Sequence, residues 1–331
     1  MPAPQKPSHT FRLGPGIVLT ILAMIAVPAA ITLNRVRDAG SIRITSADPT
    51  PQGYTWSLLL FVVPIIVIAG WLFPQERIRL PKSAFWRTIS ILVPLGFALD
   101  FFFAHKFFVF PNRYATLGIG APALGGPVPI EEYLFYFSGF IAILLIYIWL
   151  DEFWLAAYNV PDYVEEAKKN TKLLVFHPTS AVLGVLLVAA AVIYKKMLSP
   201  EPVGFPGYLT VLIAGGLIPA VGFYPTVKAS INWRAFSLVL LYVLLVSLVW
   251  EATLALPYGW WGYQPKQMLG LSVKAWSSLP LEAVCVWIAV TYGTTITFEV
   301  VKLWLASQKP AREAFFGAKK IGTKAEAASA G

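Results

Sequence analysis

What most restricts the folds open to this chain is the length of its apolar runs. Eight stretches, near 16–34, 56–73, 88–109, 129–150, 173–194, 207–227, 235–256 and 280–305, are each long enough to cross a bilayer core of ~30 Å as a helix. The breaks between them gather proline, glycine and charge, as in Pro74-Gln-Glu-Arg-Ile-Arg79 and Lys195-Lys196-Met-Leu-Ser-Pro200. Lipid offers no hydrogen-bond partner, so a spanning segment must satisfy its own backbone, and runs of this length do so as helices. Composition agrees: 57% of residues are hydrophobic and 13% charged, against about 25% charged in soluble globular proteins. Mean hydropathy is +0.66. A water-soluble body of 331 residues has no way to hide that much apolar surface, which excludes a cytosolic enzyme, a nucleic-acid-binding module and a disordered chain. The predicted fold is all-α, a polytopic transmembrane helix bundle of about eight spans. Its 22 Phe, 14 Tyr and 12 Trp exceed what interface anchoring alone needs.

The net charge of +9 bears on topology and lipid headgroups. With the N-terminus inside, roughly two-thirds of the 26 Lys and Arg fall on the inner segments, which predicts a multi-pass protein of a bacterial inner membrane with both termini cytoplasmic. Lys6 and Arg12 ahead of the first run, and the small residues of Ala26-Val-Pro-Ala-Ala30, also fit a cleavable leader, which leaves the orientation of the rest unchanged. The Ala-, Gly- and Lys-rich tail from about Lys309 reads as disordered. The single cysteine, Cys285, permits no disulfide within the chain, and His9, His105 and His177 are too scattered to suggest a metal cluster.

Inside the chain lies a repeat. Shifted by 151 residues without a gap, Asp100 falls on Glu251, Pro129 on Pro280 and Glu131 on Glu282. Each half has a helix ending in an acid, a loop, and a helix beginning Pro-x-Glu, with 31 residues from acid to acid. Four spans separate equivalent positions, an even number, so the halves are expected to be parallel, related by an axis along the membrane normal, with their polar elements toward the outer leaflet. The predicted organisation is an N-terminal tail and first span (1–52), a first repeat (53–155), a connecting loop and span (156–204), a second repeat (205–305) and a basic tail (306–331).

A carboxyl group inside a span costs several kcal/mol unless it is paired, protonated or facing a cavity. Asp100 and Glu251 sit well within apolar runs, where burial favours the neutral acid. Glu131, Glu132 and Glu282 have a simpler alternative role, since an acid after an initial proline caps a helix. Their recurrence, with an acid 31 residues upstream each time, argues for more. The loop Leu117-Gly-Ile-Gly-Ala-Pro-Ala-Leu-Gly-Gly-Pro-Val-Pro129 carries no charge, and folding it inward brings Glu131 toward Asp100. The second loop, Tyr258-Gly-Trp-Trp-Gly-Tyr263, is aromatic and suits either an interfacial belt or a site lining.

Neither a dinucleotide-binding glycine pattern, nor a nucleotide phosphate loop, nor an aspartate-rich diphosphate motif is present, so no cofactor and no metal are implied. A buried carboxylic acid in a dry aromatic cavity suits another task. It protonates an alkene, aromatic faces and a second carboxylate stabilise the cation, and a base removes a proton at the end.

These residues resemble the integral-membrane lycopene cyclase family, the carotenoid cyclases found as paired small subunits in actinobacteria and as fused domains in archaea and fungi. The family's Pro-x-Glu-(Glu/Asp) motif is matched by Pro129-Ile130-Glu131-Glu132, and its upstream Trp-Asp pair by Leu99-Asp100 and Trp250-Glu251. The likeness covers residues 53–155 and 205–305. It departs in Pro280-Leu281-Glu282-Ala283, which lacks the second acid, in Glu for Asp at 251, and in a first span beyond the usual seven. The resemblance implies carotenoid biosynthesis by a cofactor-independent isomerase of the lycopene β-cyclase type. Glu131, Asp100, Glu132, Glu282 and Glu251 would surround the reacting end group, with Glu131 as proton donor and Asp100 as its partner. Trp250, Tyr133, Tyr136, Trp260 and Trp261 are the aromatic residues expected to bind substrate. That substrate is lycopene or a related linear carotenoid taken from the lipid phase. Membrane lipids, a second copy of the chain or other carotenoid enzymes are the remaining partners, and nucleic acid is not one.

Two alternatives use the same residues. One is a cyclase or hydratase of another isoprenoid. The other is a non-enzymatic carotenoid-binding or proton-coupled transport protein. Four further features read as structural: His105-Lys106 as snorkelling cations, Glu299 and Lys302 as a pair at the inner interface, Asp151-Glu152 at the headgroups, and Cys285 as packing.

Overall fold

The computed structural model describes residues 51–75 and 81–317, together with isolated helical positions between Leu19 and Ala30. The first apolar run, the leader alternative and the end of the basic tail lie outside the described residues. Within them, seven helices are long and apolar enough to cross a membrane. They are α1 (Gly53–Leu72), α2 (Lys82–Phe107), α3 (Ile130–Trp149), α5 (Pro178–Met197), α6 (Gly207–Val227), α7 (Trp233–Trp250) and α8 (Leu281–Ser307), with the short α4 (Tyr163–Lys168) between α3 and α5. The protein is mostly helical and compatible with a multi-pass membrane protein.

Local chemistry explains the ends. Pro178 opens α5 at a position where its missing N–H is no loss. Asn232 caps α7 by accepting from the Ala235 N–H at 3.2 Å, and Asp162 caps α4 through the Val164 N–H at 2.8 Å. The fifth apolar run was expected from 173, but α5 begins at Pro178. Residues 173–177 are extended and spend their N–H groups elsewhere, Val175 and His177 on the carbonyls of Gly222 and Val221 (both 2.8 Å). Both α3 and α7 end in a π-helical turn, Leu150–Trp154 and Glu251–Ala255. Such turns insert one residue into the ladder and are frequent at functional sites.

Helix α8 is the hub, packing on α2, α3, α6 and α7. It meets α6 at close range because both carry small residues there: a Cβ on Gly293 would stand 3.2 Å from the Gly215 carbonyl oxygen, and one on Gly216 would touch Ala289. The contact between α3 and α8 joins residues 151 apart. Tyr147 meets Phe298 edge to face with ring centres 6.1 Å apart, and Asp151 Oδ2 accepts from Lys302 Nζ at 3.0 Å. At the other end of the bundle, three two-residue antiparallel pairs organise the loops. β1 (Phe108–Val109) pairs with β4 (Gly262–Tyr263), β2 (Gly120–Ala121) with β3 (Val128–Pro129), and β5 (Ser272–Val273) with β6 (Leu279–Pro280).

Two expectations are corrected. Part of the tail is ordered: α9 (Ala311–Phe316) docks on the bundle, with the Leu173 and Leu174 N–H groups donating to the carbonyls of Ala314 (2.8 Å) and Phe315 (3.1 Å). The reason is its apolar face, which packs on Leu173, Trp304 and Phe223 in an otherwise basic segment. The residues expected at the inner interface are also buried. Asp151 and Glu299 are wholly buried and Lys302 nearly so. Lys302 donates to Asp151, Glu152 (3.5 Å) and Glu299 (3.2 Å), while the hydroxyls of Tyr147 (3.1 Å) and Tyr163 (2.8 Å) donate to Glu299. Burial, then the Glu299 charge, pushes the Tyr163 phenol above its ordinary value, so it stays a donor.

Candidate active site

The loop end of the bundle gathers five acids, and the fold gives them three different settings. Asp100 comes from the second half of α2 and is 2% exposed. Gly96, one turn earlier, lets the Phe140 ring approach, since a Cβ there would lie 3.0 Å from it. The Tyr136 hydroxyl donates to Asp100, whose Oδ2 has no hydrogen-bond partner.

Glu131 and Glu132 are consecutive in the first turn of α3 and therefore point about 100° apart. Glu131 turns to the loops. One oxygen accepts from the Leu117 N–H at 2.8 Å and from Thr55 Oγ1 at 2.5 Å. Glu282, in the first turn of α8, does the same for the other half, accepting from the Leu269 N–H at 2.5 Å. Glu132 turns to the interior and accepts from the Tyr54 hydroxyl at 2.8 Å. In the second half its place is taken by Ala283. Glu251 heads the π turn of α7 and accepts from Trp261 Nε1 at 3.3 Å and from the Tyr263 hydroxyl. Tyr263 is buried beside this carboxyl, and burial, then the Glu251 charge, holds its phenol well above the ordinary value.

Two neighbouring spaces adjoin these groups. A small chamber of about 50 Å³ is bounded by Glu132, Glu251, Tyr136, Trp250, Trp261 and Tyr263. A slot of about 470 Å³ begins at Asp100 and shares Tyr136, Phe140 and Tyr208 with the chamber. The slot is a typical small-molecule volume. Asp100 thus borders the slot, and Glu132 and Glu251 border the chamber on the other side of Tyr136, Phe140 and Tyr208. Glu131 and Glu282 border neither space and instead clamp the two loops. The uncharged loop lies against α2 while its Leu117, Ile119 and Leu124 side chains stay exposed: the Leu124 N–H donates to the Phe101 carbonyl at 2.6 Å, and His105 Nε2 lies 2.9 Å from the Gly126 carbonyl. His105, expected to snorkel, therefore pins this turn, where Gly125 and Gly126 take the left-handed conformations that favour glycine.

Of the aromatic residues expected at the site, Trp250, Trp261 and Tyr136 line the chamber. Trp260 stands behind, stacked on Tyr54 with ring centres 5.9 Å apart. Tyr133 faces away, its hydroxyl donating to the Pro122 carbonyl at 2.6 Å and its ring against Phe97. Sequence reasoning missed Tyr54, Tyr208 and Tyr263. A signal for two of them existed. Gly53-Tyr54 and Gly207-Tyr208 each open a helix, but they are 154 residues apart, so a gapless shift of 151 steps over them.

No group of three or more His, Cys, Asp or Glu among the described residues is placed to hold a metal ion. No family model matches the chain, and no curated protein or solved structure matches it either.

Proposed function

We propose that the chain is a cofactor-independent carotenoid cyclase of the integral-membrane lycopene cyclase type, built from two parallel repeats (53–155 and 205–305). The repeat is supported by the way equivalent positions meet. Tyr147 packs on Phe298 and Asp151 pairs with Lys302 at one end of the bundle, and β1 pairs with β4 symmetrically at the other. Contacts of that kind arise beside a two-fold axis, and their presence at both ends suits an axis along the membrane normal. Both termini would then lie on the cytoplasmic side and the acids toward the outer leaflet, if the first run also spans.

The observation that carries the activity is that Asp100, Glu132 and Glu251, from three helices, border two adjoining aromatic-walled spaces, with no cation paired to any of them among the described residues. In the proposed reaction the protonated Asp100 carboxyl gives its hydrogen to one carbon of the terminal double bond. The other carbon becomes a tertiary cation. The π pair of the next double bond in reach closes the ring and moves the positive charge to a ring carbon. Loss of a neighbouring proton to the carboxylate left at Asp100, directly or by way of Glu132 or Glu251, restores a double bond and the starting acid. One proton is added and one removed, so the product is an isomer of the substrate. The faces of Trp250 and Trp261 and the negative carboxylate stabilise the passing cation. Glu131, a proton-donor candidate by sequence, is here a positioning residue with Glu282, because each spends an oxygen on a loop N–H.

The substrate reaches the slot sideways. Helices α2 and α6 both pack on α8, and the slot between them is edged by Ile91, Leu95 and Ile218, all strongly exposed on the bundle's outer face. Expression in a lycopene-accumulating host is the test. Membranes should turn from red to orange as β-rings form, with product mass unchanged, and Asp100→Asn should leave them red. Inserted wild-type protein in membranes that stay red overturns the reading, and a product heavier by one water replaces it with a hydratase.

A further inference from the structure

The slot has an end as well as a mouth. It follows α6 from Tyr208 to Phe223 and α8 from Val286 to Val301, about 22 Å at helical rise. At the acid end the rings of Phe107 and Tyr208, 5.0 Å between centres, close it. At the far end it stops against Phe315, the ring carried by α9, which packs on Phe223 (5.9 Å) and Trp304 (5.7 Å). Leu174 completes that wall, and its own N–H donates to the Phe315 carbonyl, so the floor is fastened by backbone as well as by rings. Between the two ends the lining is almost wholly aliphatic and aromatic: Thr297 is already spent on the Gly293 carbonyl at 2.7 Å, and the Thr294 hydroxyl is the one polar group there without a partner among the described residues, too little to solvate a charged or sugar headgroup. No charged side chain other than Asp100 borders the slot. A ligand with a phosphate, carboxylate or sugar at its far end would bury that group unpaired, which costs several kcal/mol.

We propose that the slot is a length gauge for one linear isoprenoid hydrocarbon, laid in sideways with one end at Asp100 and its body running toward Phe315, the stop that sets how much of the chain the slot holds. This rests on the reading above only for which end of the slot is reactive. A space of about 22 Å takes roughly four isoprene units laid end to end. Any further length must leave through the gap between α2 and α6. The preferred ligand class is therefore a chain that is apolar to its tip, and its grip saturates once the slot is full. The helix that carries the stop lies in the tail, so the gauge is set by a segment outside both repeats.

The test is binding by purified full-length protein of linear all-trans polyprenyl hydrocarbons of three to eight isoprene units, in competition with a fluorescent linear polyene. In wild type, affinity should rise with length and level off near four units. Phe315→Ala should move the plateau about one unit longer, and Phe315→Trp about one unit shorter. Phe315→Leu keeps an apolar plug on α9 and guards against misfolding; its plateau should lie between wild type and the alanine variant. Glu299→Gln should keep the wild-type profile, because the cluster around Lys302 does not border the slot. Identical plateaus in all four Phe315 forms, or affinity that climbs through eight units without levelling, overturn the gauge. A shifted plateau in protein that forms no ring supports the gauge and removes only the cyclase.

Discussion

Buried carboxyl groups occur at both ends of this bundle, and the two ends treat them in opposite ways. At one end Asp151, Glu152 and Glu299 surround Lys302, and the hydroxyls of Tyr147 and Tyr163 donate to Glu299, which leaves only Asp151 Oδ1 buried without a partner among the described residues of this cluster. At the other end Asp100, Glu132 and Glu251 have neutral donors only, namely Tyr136, Tyr54, Trp261 and Tyr263, and they face empty space. An acid in a medium without water must be paired or remain uncharged. The first cluster takes the paired solution and serves as a clasp between α3 and α8. The second has no such partner, and in the proposed reading Asp100 stays there as the neutral acid that gives its proton. Pairing, rather than burial, separates a structural carboxylate from a chemical one here.

The largest expected effect separates the two ends outright. Asp100→Asn and Glu132→Gln should each lower product per inserted molecule by roughly 10²–10⁴-fold, with little change in unfolding midpoint. Glu299→Gln should leave product per folded molecule near wild type. Next, Lys302→Met strands buried charges and should cost about 3–5 kcal/mol of stability, measured by denaturation in detergent. Adding Asp151→Asn and Glu299→Gln to it should recover most of that loss. Turnover that falls in Lys302→Met while stability holds would erase the distinction between the ends. The loop clamps sharpen it further. Glu131→Ala abandons the Leu117 N–H and should cost ~1–3 kcal/mol, with faster proteolysis between 117 and 129, whereas Glu131→Gln keeps an acceptor and should retain most activity. That contrast with Glu132→Gln distinguishes two neighbouring glutamates by role. The smallest effect is expected from Trp250→Leu, which removes one aromatic face and should slow ring formation by about 10-fold or less.

Much of this was legible in the residues, for reasons that differ by element. Helices α1 to α3 and α6 to α8 follow from apolar length, because lipid leaves a spanning backbone one solution. The gapless shift set Glu131 beside Glu282, and in the structure each opens a long helix and accepts from a loop N–H. The division of labour between Glu131 and Glu132 was not legible. Adjacent residues on a helix face different neighbours, and which side is interior depends on where Tyr54 and the 117–129 loop settle. The clasp was hidden for a related cause. Asp151 and Lys302 look like ordinary headgroup charges until α3 and α8 are laid together, and only then do residues 151 apart become neighbours. Phe315 was lost in a basic tail whose average composition masks a short apolar face.

The proposed hydrogen transfer from Asp100 to carbon is tested most directly by a single turnover in membranes equilibrated with deuterium oxide. The expected result is one deuterium per ring closed, bound to carbon and absent from unreacted substrate, with no labelled product from Asp100→Asn. Rings formed without deuterium, or labelled rings formed at the wild-type rate by Asp100→Asn, would contradict it.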